Sequence, residues 1–405
     1  MATGSVNTKD ELFDICIVGG CGHVGLPLGL AFAGQSKNVV LYDINEKSIY
    51  EVNSGKMPFK EEDSEPILNK VLKLGKLKAT NAPQVISDSR IVILVIGTPV
   101  DEHLNPKVSE IIHAIKEIED YLTDDQLLVM RSTLYPGVTD KVKAYLTKIG
   151  KNISVAFCPE RIIEGKALTE LYELPQIVAG CTPKATEKAS DLFKVLTNKI
   201  IVTEPIEAEL AKLFTNTWRY INFAISNQFY MIANSHGLDF YNIYNAMTED
   251  YPRLKAFAKA GLAAGPCLFK DTMQLSSFSG NNFFLGHSAM LVNEGLPDFI
   301  VSSMKKNHDL SKSTVAILGM AFKGNNDDPR ESLSYKLKKK LEVEADVVLC
   351  HDPYINDSRF STMEEIREKA DIIVLATPHT EYNTENWDDR VLVDMWNFYG
   401  QGGLV

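Results

Sequence analysis

Any fold for this chain must accommodate IVGGCGHVGLPLGLAFA at residues 17–33. Gly20, Gly22 and Gly25 are spaced G-x-G-x-x-G between the β-branched run DICIV and an apolar segment of helical period. Glycines in that frame meet three steric demands: a tight turn out of a strand, amides open to a pyrophosphate, and a helix packed close against the strand. The helix start adds the positive end of a dipole. Asp43 closes the next strand, NVVLYD, at the distance of a carboxylate that binds the adenosine ribose diol and repels a 2′-phosphate. Chance glycines in an ordinary strand–helix turn would not also supply that acid. The combination points to a dinucleotide site that selects NAD over NADP.

The rest of the 405 residues extends this pattern, with room for two or three domains. DICIVGG, NVVLYD, RIVILVIG, QLLVMRS and ISVAFC read as buried strands, and segments such as VSEIIHAIKEIEDYL between them have helical spacing. That alternation implies a parallel sheet covered on both faces. From Glu207 to about His236 there is no Pro or Gly, and apolar residues cover much of the helical circumference. Such a helix is expected to lie between domains or subunits, with Gly237 as its C-terminal stop. After KKNHDLSKST the alternation resumes in TVAILGMAF, ADVVLCHDPYI, ADIIVLATPHT and RVLVDMW, and GTP at Gly97–Pro99 is echoed by ATP at Ala376–Pro378. The expected fold is α/β: two Rossmann-like, doubly wound parallel-sheet domains joined by a long central helix, with boundaries at 1–204, 205–300 and 301–405.

A formal net charge of -11 disfavours nucleic acid as a partner, although one local basic pocket for a diphosphate remains compatible. The six cysteines show neither C-x-x-C nor zinc spacing, so no disulfide framework or metal is expected. The start, MATGSVNTKDELFD, lacks the apolar core of a signal peptide, and IVILVIGTP is too short to span a bilayer. A cytoplasmic location fits.

Four further segments carry chemistry. In AELAKLFTN, Lys212 and Asn216 are i,i+4 and share a helix face, with Glu209 close by; an ordinary solvated face would look similar. In FCPERIIEGKA, Glu160 follows a strand end, with Arg161 and Glu164 near it, and Thr133 follows another in RSTLYPG. Strand ends point into the crevice of a parallel sheet, though a charged surface loop is the plainer alternative. GPCLFKD sets Cys267 between a Gly-Pro turn and the charges of Lys270 and Asp271. A nearby cation can stabilise a thiolate nucleophile, whereas most free cysteines are inert small hydrophobes. GMAFKGNNDDPRES supplies Gly319, Lys323, Gly324 and Arg330 at a strand end, a set suited to phosphate or carboxylate groups.

In this order the motifs resemble the UDP-glucose/GDP-mannose dehydrogenase family, over nearly the whole chain. The resemblance implies an NAD-dependent four-electron oxidation of the C6 alcohol of a nucleotide sugar, a UDP-sugar favoured, to a uronic acid. Cys267 would carry the thiohemiacetal and thioester. Glu160 would act as acid/base through a water with Thr133 and Asp271, and Lys212 and Asn216 would hold the C6 oxygen. His23, Val24, Lys47, Thr98, Thr133, Glu164, Lys270 and Arg330 would join Gly20, Gly22, Gly25 and Asp43 around the cofactor. Glu160, Arg161, Lys212, Asn216, Arg253, Phe257, Lys259, Gly265, Phe322 and Lys323 would line the substrate side. The long helix would form a homodimer core. Two departures stand out: LAAGPC replaces a glycine-rich run before the cysteine, and DMWN puts Trp396 where the family often has arginine. The signals for the sugar conflict, leaving glucose, mannose and N-acetylhexosamine types open. Two rivals remain: a two-electron hydroxyacid-type dehydrogenase and a non-catalytic relative.

Overall fold

The computed structural model describes residues 13–98, 101, 107–263 and 265–405. The chain divides into two units, Met1–Leu213 and Phe214–Val405. Ala264 and Pro99, which figure in the readings above, lie outside the described residues, as does the segment before Phe13.

Period-two alternation explains the first unit. In β1 (Phe13–Val18), Ile15 and Ile17 enter one apolar cluster while Cys16 and Val18 enter another on the opposite face. Side chains on a strand point alternately to the two faces, so a run that is apolar throughout needs cover on both. After β1 come β2 (Val39–Tyr42), β3 (Leu77–Thr80), β4 (Ser89–Leu94), β5 (Leu127–Met130), β6 (Ser154–Phe157), β7 (Gln176–Gly180) and β8 (Ile200–Val202). They form one sheet in the order β3-β2-β1-β4-β5-β6-β7-β8. Its pairings are parallel except β6 with β7, which is antiparallel. The order reverses between β1 and β4, so a crevice opens beyond their carboxyl ends, where the glycine turn follows β1.

In the second unit, β9 (Thr314–Leu318), β10 (Val347–His351), β11 (Ile372–Leu375) and β12 (Val391–Val393) form an all-parallel sheet, ordered β10-β9-β11-β12. Val315 and Ile317 face one cluster, Ala316 and Leu318 the other. The two expected sheets are thus present.

The expected long helix spans Pro205–Ser235. It ends as Gly237 takes φ +68° and Leu238 N–H returns to Ala233 O at 2.9 Å. Tyr220, Ala224 and Tyr230 on it are buried, whereas Phe214, Trp218, Ile225, Phe229 and Ile232 are exposed.

Candidate active site

Two of the three motif glycines are dictated by packing. A Cβ on Gly20 would meet Ile17 O and Leu41 Cβ at 2.7 Å, and one on Gly25 would meet Gly19 O at 2.5 Å. At Gly22 the closest atom would be Gly19 O at 3.7 Å, so the space over that residue is open. This packing is compatible with the expected turn and close helix packing, and the open space at Gly22 with the expected backbone approach. Asp43 is held against this turn. Its Oδ2 accepts from Cys21 N–H at 2.9 Å and its Oδ1 from Asn45 N–H at 3.0 Å. The residues present therefore fit a dinucleotide. Val24 is the N-cap of the following helix, Gly25–Gly34, and His23 stacks on Phe59 with ring centroids 4.1 Å apart. Lys47 is largely exposed, 3.8 Å from Glu51, and Thr98 lies beyond β4. Asp43→Ala should weaken NAD by about tenfold to a hundredfold, the scale of one charged hydrogen bond, and lower the preference over NADP. Fluorescence titration with both cofactors checks this; an unchanged preference would show that Asp43 does not read the ribose.

The ends of β5 and β6 are joined by a buried ion pair that sequence reasoning missed. The fully buried Arg131 reaches Glu160 Oε2 through Nε at 2.8 Å and Nη2 at 2.5 Å. It also donates to Cys158 O and Gln176 Oε1, each at 3.1 Å. Glu160 Oε1 accepts from Arg161 N–H at 2.7 Å and Ile162 N–H at 3.0 Å. Both oxygens of Glu160 are thus engaged. The available signal was an arginine closing an otherwise apolar strand, two residues before Thr133. Arg161 turns away to donate to Pro175 O. The turn with Glu164 is pinned by Glu61, whose carboxylate accepts from Gly165 N–H at 2.8 Å and Ala167 N–H at 2.6 Å. Glu61 and Gly165 are 104 residues apart, beyond any local pattern.

Glu209 has a scaffold role. It accepts from Gly137 N–H, Thr139 N–H and Thr139 Oγ–H at 2.6–2.8 Å, capping the helix Val138–Lys148 and tying the long helix to the segment after Thr133. Burial pushes its carboxyl above the usual range despite these bonds. Lys212, three residues on, is 9% exposed.

In the second unit Asn216 Nδ2 donates to Asp271 Oδ2 at 2.6 Å. Asp271 is fully buried, with Lys270 Nζ 3.7 Å from its other oxygen. Cys267 is the N-cap of the helix Leu268–Phe278, one turn before Asp271, where the dipole favours negative charge. It alone among the six cysteines is exposed. Burial pushes Cys16, Cys21, Cys158 and Cys181 up to about 12 and Cys350 to about 11.

The segment before Cys267 rests on the loop after β9. Gly265 takes φ +109°, and a Cβ there would meet the Phe322 ring at 2.6 Å. Lys323 follows Phe322. Arg330 pairs with Asp328 through Nε at 2.9 Å and Nη2 at 2.5 Å. Phe257 stacks on Tyr244 at 5.7 Å, Lys259 lies 5.8 Å over the Tyr241 ring, and Arg253 donates to Tyr251 OH at 2.9 Å.

Asp352, at the end of β10, is topologically the counterpart of Asp43 but is spent on the protein itself. Its Oδ2 accepts from Met320 N–H at 2.7 Å and Ala321 N–H at 2.9 Å, and its Oδ1 from Tyr354 N–H at 2.9 Å. The Asn325 N–H points at His379 Nδ1, so the ring hydrogen sits on Nε2 and is donated to Asp352 at 3.0 Å. Burial alone would raise the Asp352 carboxyl. The hydrogen bond from His379, together with the backbone donors, outweighs that and holds it at about 2. A depressed carboxylate stabilises the fold above its ordinary pKa and loses that contribution as pH falls through the folded value. The second unit, which holds all three tryptophans, should therefore lose stability between about pH 4 and pH 2. Asp352→Asn should flatten that acid limb in tryptophan fluorescence; a limb unchanged in the variant would exclude Asp352 as its origin.

Among the described residues no cluster of His, Cys, Asp and Glu could hold a metal, and no helix is long and apolar enough to cross a membrane.

The chain matches three domains of one family, UDP-glucose/GDP-mannose dehydrogenase: the NAD binding domain over 13–197, the central domain over 206–294 and the UDP binding domain over 316–401. It is 32% identical to the UDP-N-acetyl-D-mannosamine dehydrogenase of Pyrococcus horikoshii, over 91% of this chain and 90% of that one. A relative of the same name from Methanocaldococcus jannaschii is also 32% identical, over 93% and 88%. Among solved structures, the P. horikoshii UDP-D-ManNAc dehydrogenase superposes with TM-score 0.86 at 31% identity, covering 93% and 92% of the two chains. A UDP-glucose dehydrogenase from Pyrobaculum islandicum gives 0.87 at 25% identity, covering 97% and 96%.

Proposed function

This chain belongs to the UDP-glucose/GDP-mannose dehydrogenase family, and on that premise we propose that it oxidises the C6 alcohol of a UDP-linked hexose to the carboxylate in two NAD-dependent steps. The observation that carries this is Cys267, exposed at a helix start one turn from the buried Asp271–Asn216 pair. When bound, NAD accepts a hydride at each oxidation. The chain's residues handle the rest. The glycine turn and Asp43 hold the dinucleotide. Lys212 and Asn216 bind the C6 oxygen and stabilise negative charge on it. The Cys267 thiolate adds to the aldehyde carbon, and the thioester left by the second oxidation is hydrolysed by water, regenerating the thiolate. Asp271 takes the proton from that water. Glu160, its oxygens engaged by Arg131 and two amides, acts with Thr133 as a fixed acceptor rather than a mobile acid.

Segments 1–204, 205–300 and 301–405 are proposed as the cofactor, central and nucleotide-sugar domains, in line with the three family matches. Both curated relatives are named for UDP-N-acetyl-D-mannosamine, which makes an N-acetylated sugar the first to assay. The exposed Phe214, Trp218, Ile225, Phe229 and Ile232 on one helix support a homodimer through that face; a single monomeric species in analytical ultracentrifugation would end that proposal. Six cysteines without a disulfide suit a reducing cytoplasm.

The test is NADH formed per sugar consumed, over UDP- and GDP-sugars with and without N-acetyl groups. Two per sugar is expected. One would favour a two-electron dehydrogenase, and none, with binding retained, a non-catalytic relative.

A further inference from the structure

Residues 255–263 and 265–267, between the short helix Pro252–Leu254 and the helix Leu268–Phe278, are irregular. Phe257, Lys259 and Cys267 all lie on this segment. It has no sheet ladder to hold it, so side chains must. Three of them, Asn222 and the adjacent Ser226 and Asn227, come from two successive turns of the helix Pro205–Ser235. Asn222 Nδ2 donates to Ala256 O at 2.6 Å, and Ser226 Oγ–H to Ala258 O at 2.5 Å. Asn227 clasps Gly261 at both ends: Nδ2 donates to Gly261 O at 3.1 Å, and Gly261 N–H donates to Oδ1 at 2.9 Å. The second Asn227 Nδ2 hydrogen goes to Asn293 Oδ1 at 2.9 Å, and Asn293 Nδ2 donates to Tyr220 O at 3.0 Å. Asn227 and Asn293 are fully buried. On its other side Gly261 meets Trp396, whose ring would lie 2.3 Å from a Cβ there. Trp396 is anchored by its Nε1–H to Ala376 O at 3.0 Å.

A buried carboxamide that grips both backbone groups of one glycine is a costly device unless that backbone must be placed accurately, because each of its groups is stranded if a partner moves. Cys267 is six residues downstream. We propose that Asn227, backed by Asn293 and Trp396, is a positioning residue that sets the Cys267 sulfur where it captures the aldehyde before it diffuses away. This rests on the covalent role given to Cys267 above. In the capture step the thiolate pair forms the S–C6 bond, the carbonyl π pair moves to oxygen, and that oxygen takes a proton. NAD is the oxidant of the following step. The two oxidations differ in their need for sulfur, so a misplaced segment uncouples them.

The test is Asn227→Ala in the full chain, with three readouts: NADH per sugar, aldehyde trapped as the oxime by hydroxylamine, and the rate of Cys267 alkylation by iodoacetamide without substrate. Cys267→Ala is the blank for alkylation. NADH per sugar is expected to fall from two toward one, with oxime accumulating and the alkylation rate changed by at least about threefold. A residue needed only for folding would lower both oxidations together, leaving the ratio at two, no oxime, and alkylation at the wild-type rate; that result overturns the proposal. If Asn227→Ala does not fold, Trp396→Phe carries the same three readouts, since it trims the ring that presses on Gly261 and leaves the Asn227 clasp intact, at the cost of the one hydrogen bond to Ala376 O. If the wild type itself does not form two NADH per sugar, the functional proposal fails, and alkylation alone then decides whether the clasp sets the thiol.

Discussion

Cys267→Ala should lower acid formation by on the order of 10³-fold or more, the scale on which loss of a covalent nucleophile is felt, while NAD binding stays at the wild-type level. The split follows from where the parts lie. The glycine turn and Asp43 belong to the first unit, and Cys267 caps a helix of the second. Alanine at an exposed N-cap also costs little in stability, because the cysteine side chain makes no cap hydrogen bond there. A stopped-flow trace checks the chemistry. The variant should still reduce NAD in a first phase if aldehyde forms, then stall. Full turnover to acid in Cys267→Ala would remove the covalent mechanism outright.

The second large effect is on stability. Arg131→Met should destabilise the first unit by about 3–5 kcal/mol, because it leaves the Glu160 carboxylate buried without its guanidinium. The Arg131 side chain is inaccessible and that of Glu160 is 10% exposed, so water cannot replace the lost donors. The double variant Arg131→Met, Glu160→Gln should recover most of the loss. A neutral carboxamide has far less desolvation to offset, and its oxygen can still accept from Arg161 and Ile162. Urea denaturation of the wild type, both single variants and the double variant closes the cycle. A loss in the double variant equal to the sum of the two single losses would mean that the pair is not energetically coupled.

Much of the fold was legible. β1, β4 and β5 are buried on both faces, and a strand with two buried faces writes itself as a continuous apolar run. The long helix announced itself by length and by the absence of Gly and Pro. β3, β7 and β8 were not read. They are three to five residues long, and Lys78 interrupts β3, so their patterns are too short to separate from loop. The site was legible where chemistry is local. The glycine turn, Asp43 and Cys267 with Asp271 each sit within a few residues of the strand or helix that presents them. It was not legible where a partner is remote: Arg131 for Glu160, Glu61 for Gly165, Asn227 for Gly261.

Sequence by itself determined the class of fold and the dinucleotide turn, and it singled out Cys267 as the candidate thiol. Each depends on steric and periodic constraints that act over a few residues, and such constraints leave spacing as their record. Only the tertiary structure decided that Glu160 is held by four donors, that Glu209 is a cap, that Asp352 is spent on its own loop, and that Trp396 presses on Gly261. Hydrogen-bond saturation and close packing are properties of register between distant segments. A side chain's type states what it can donate or accept, whereas the fold alone states who is there to meet it.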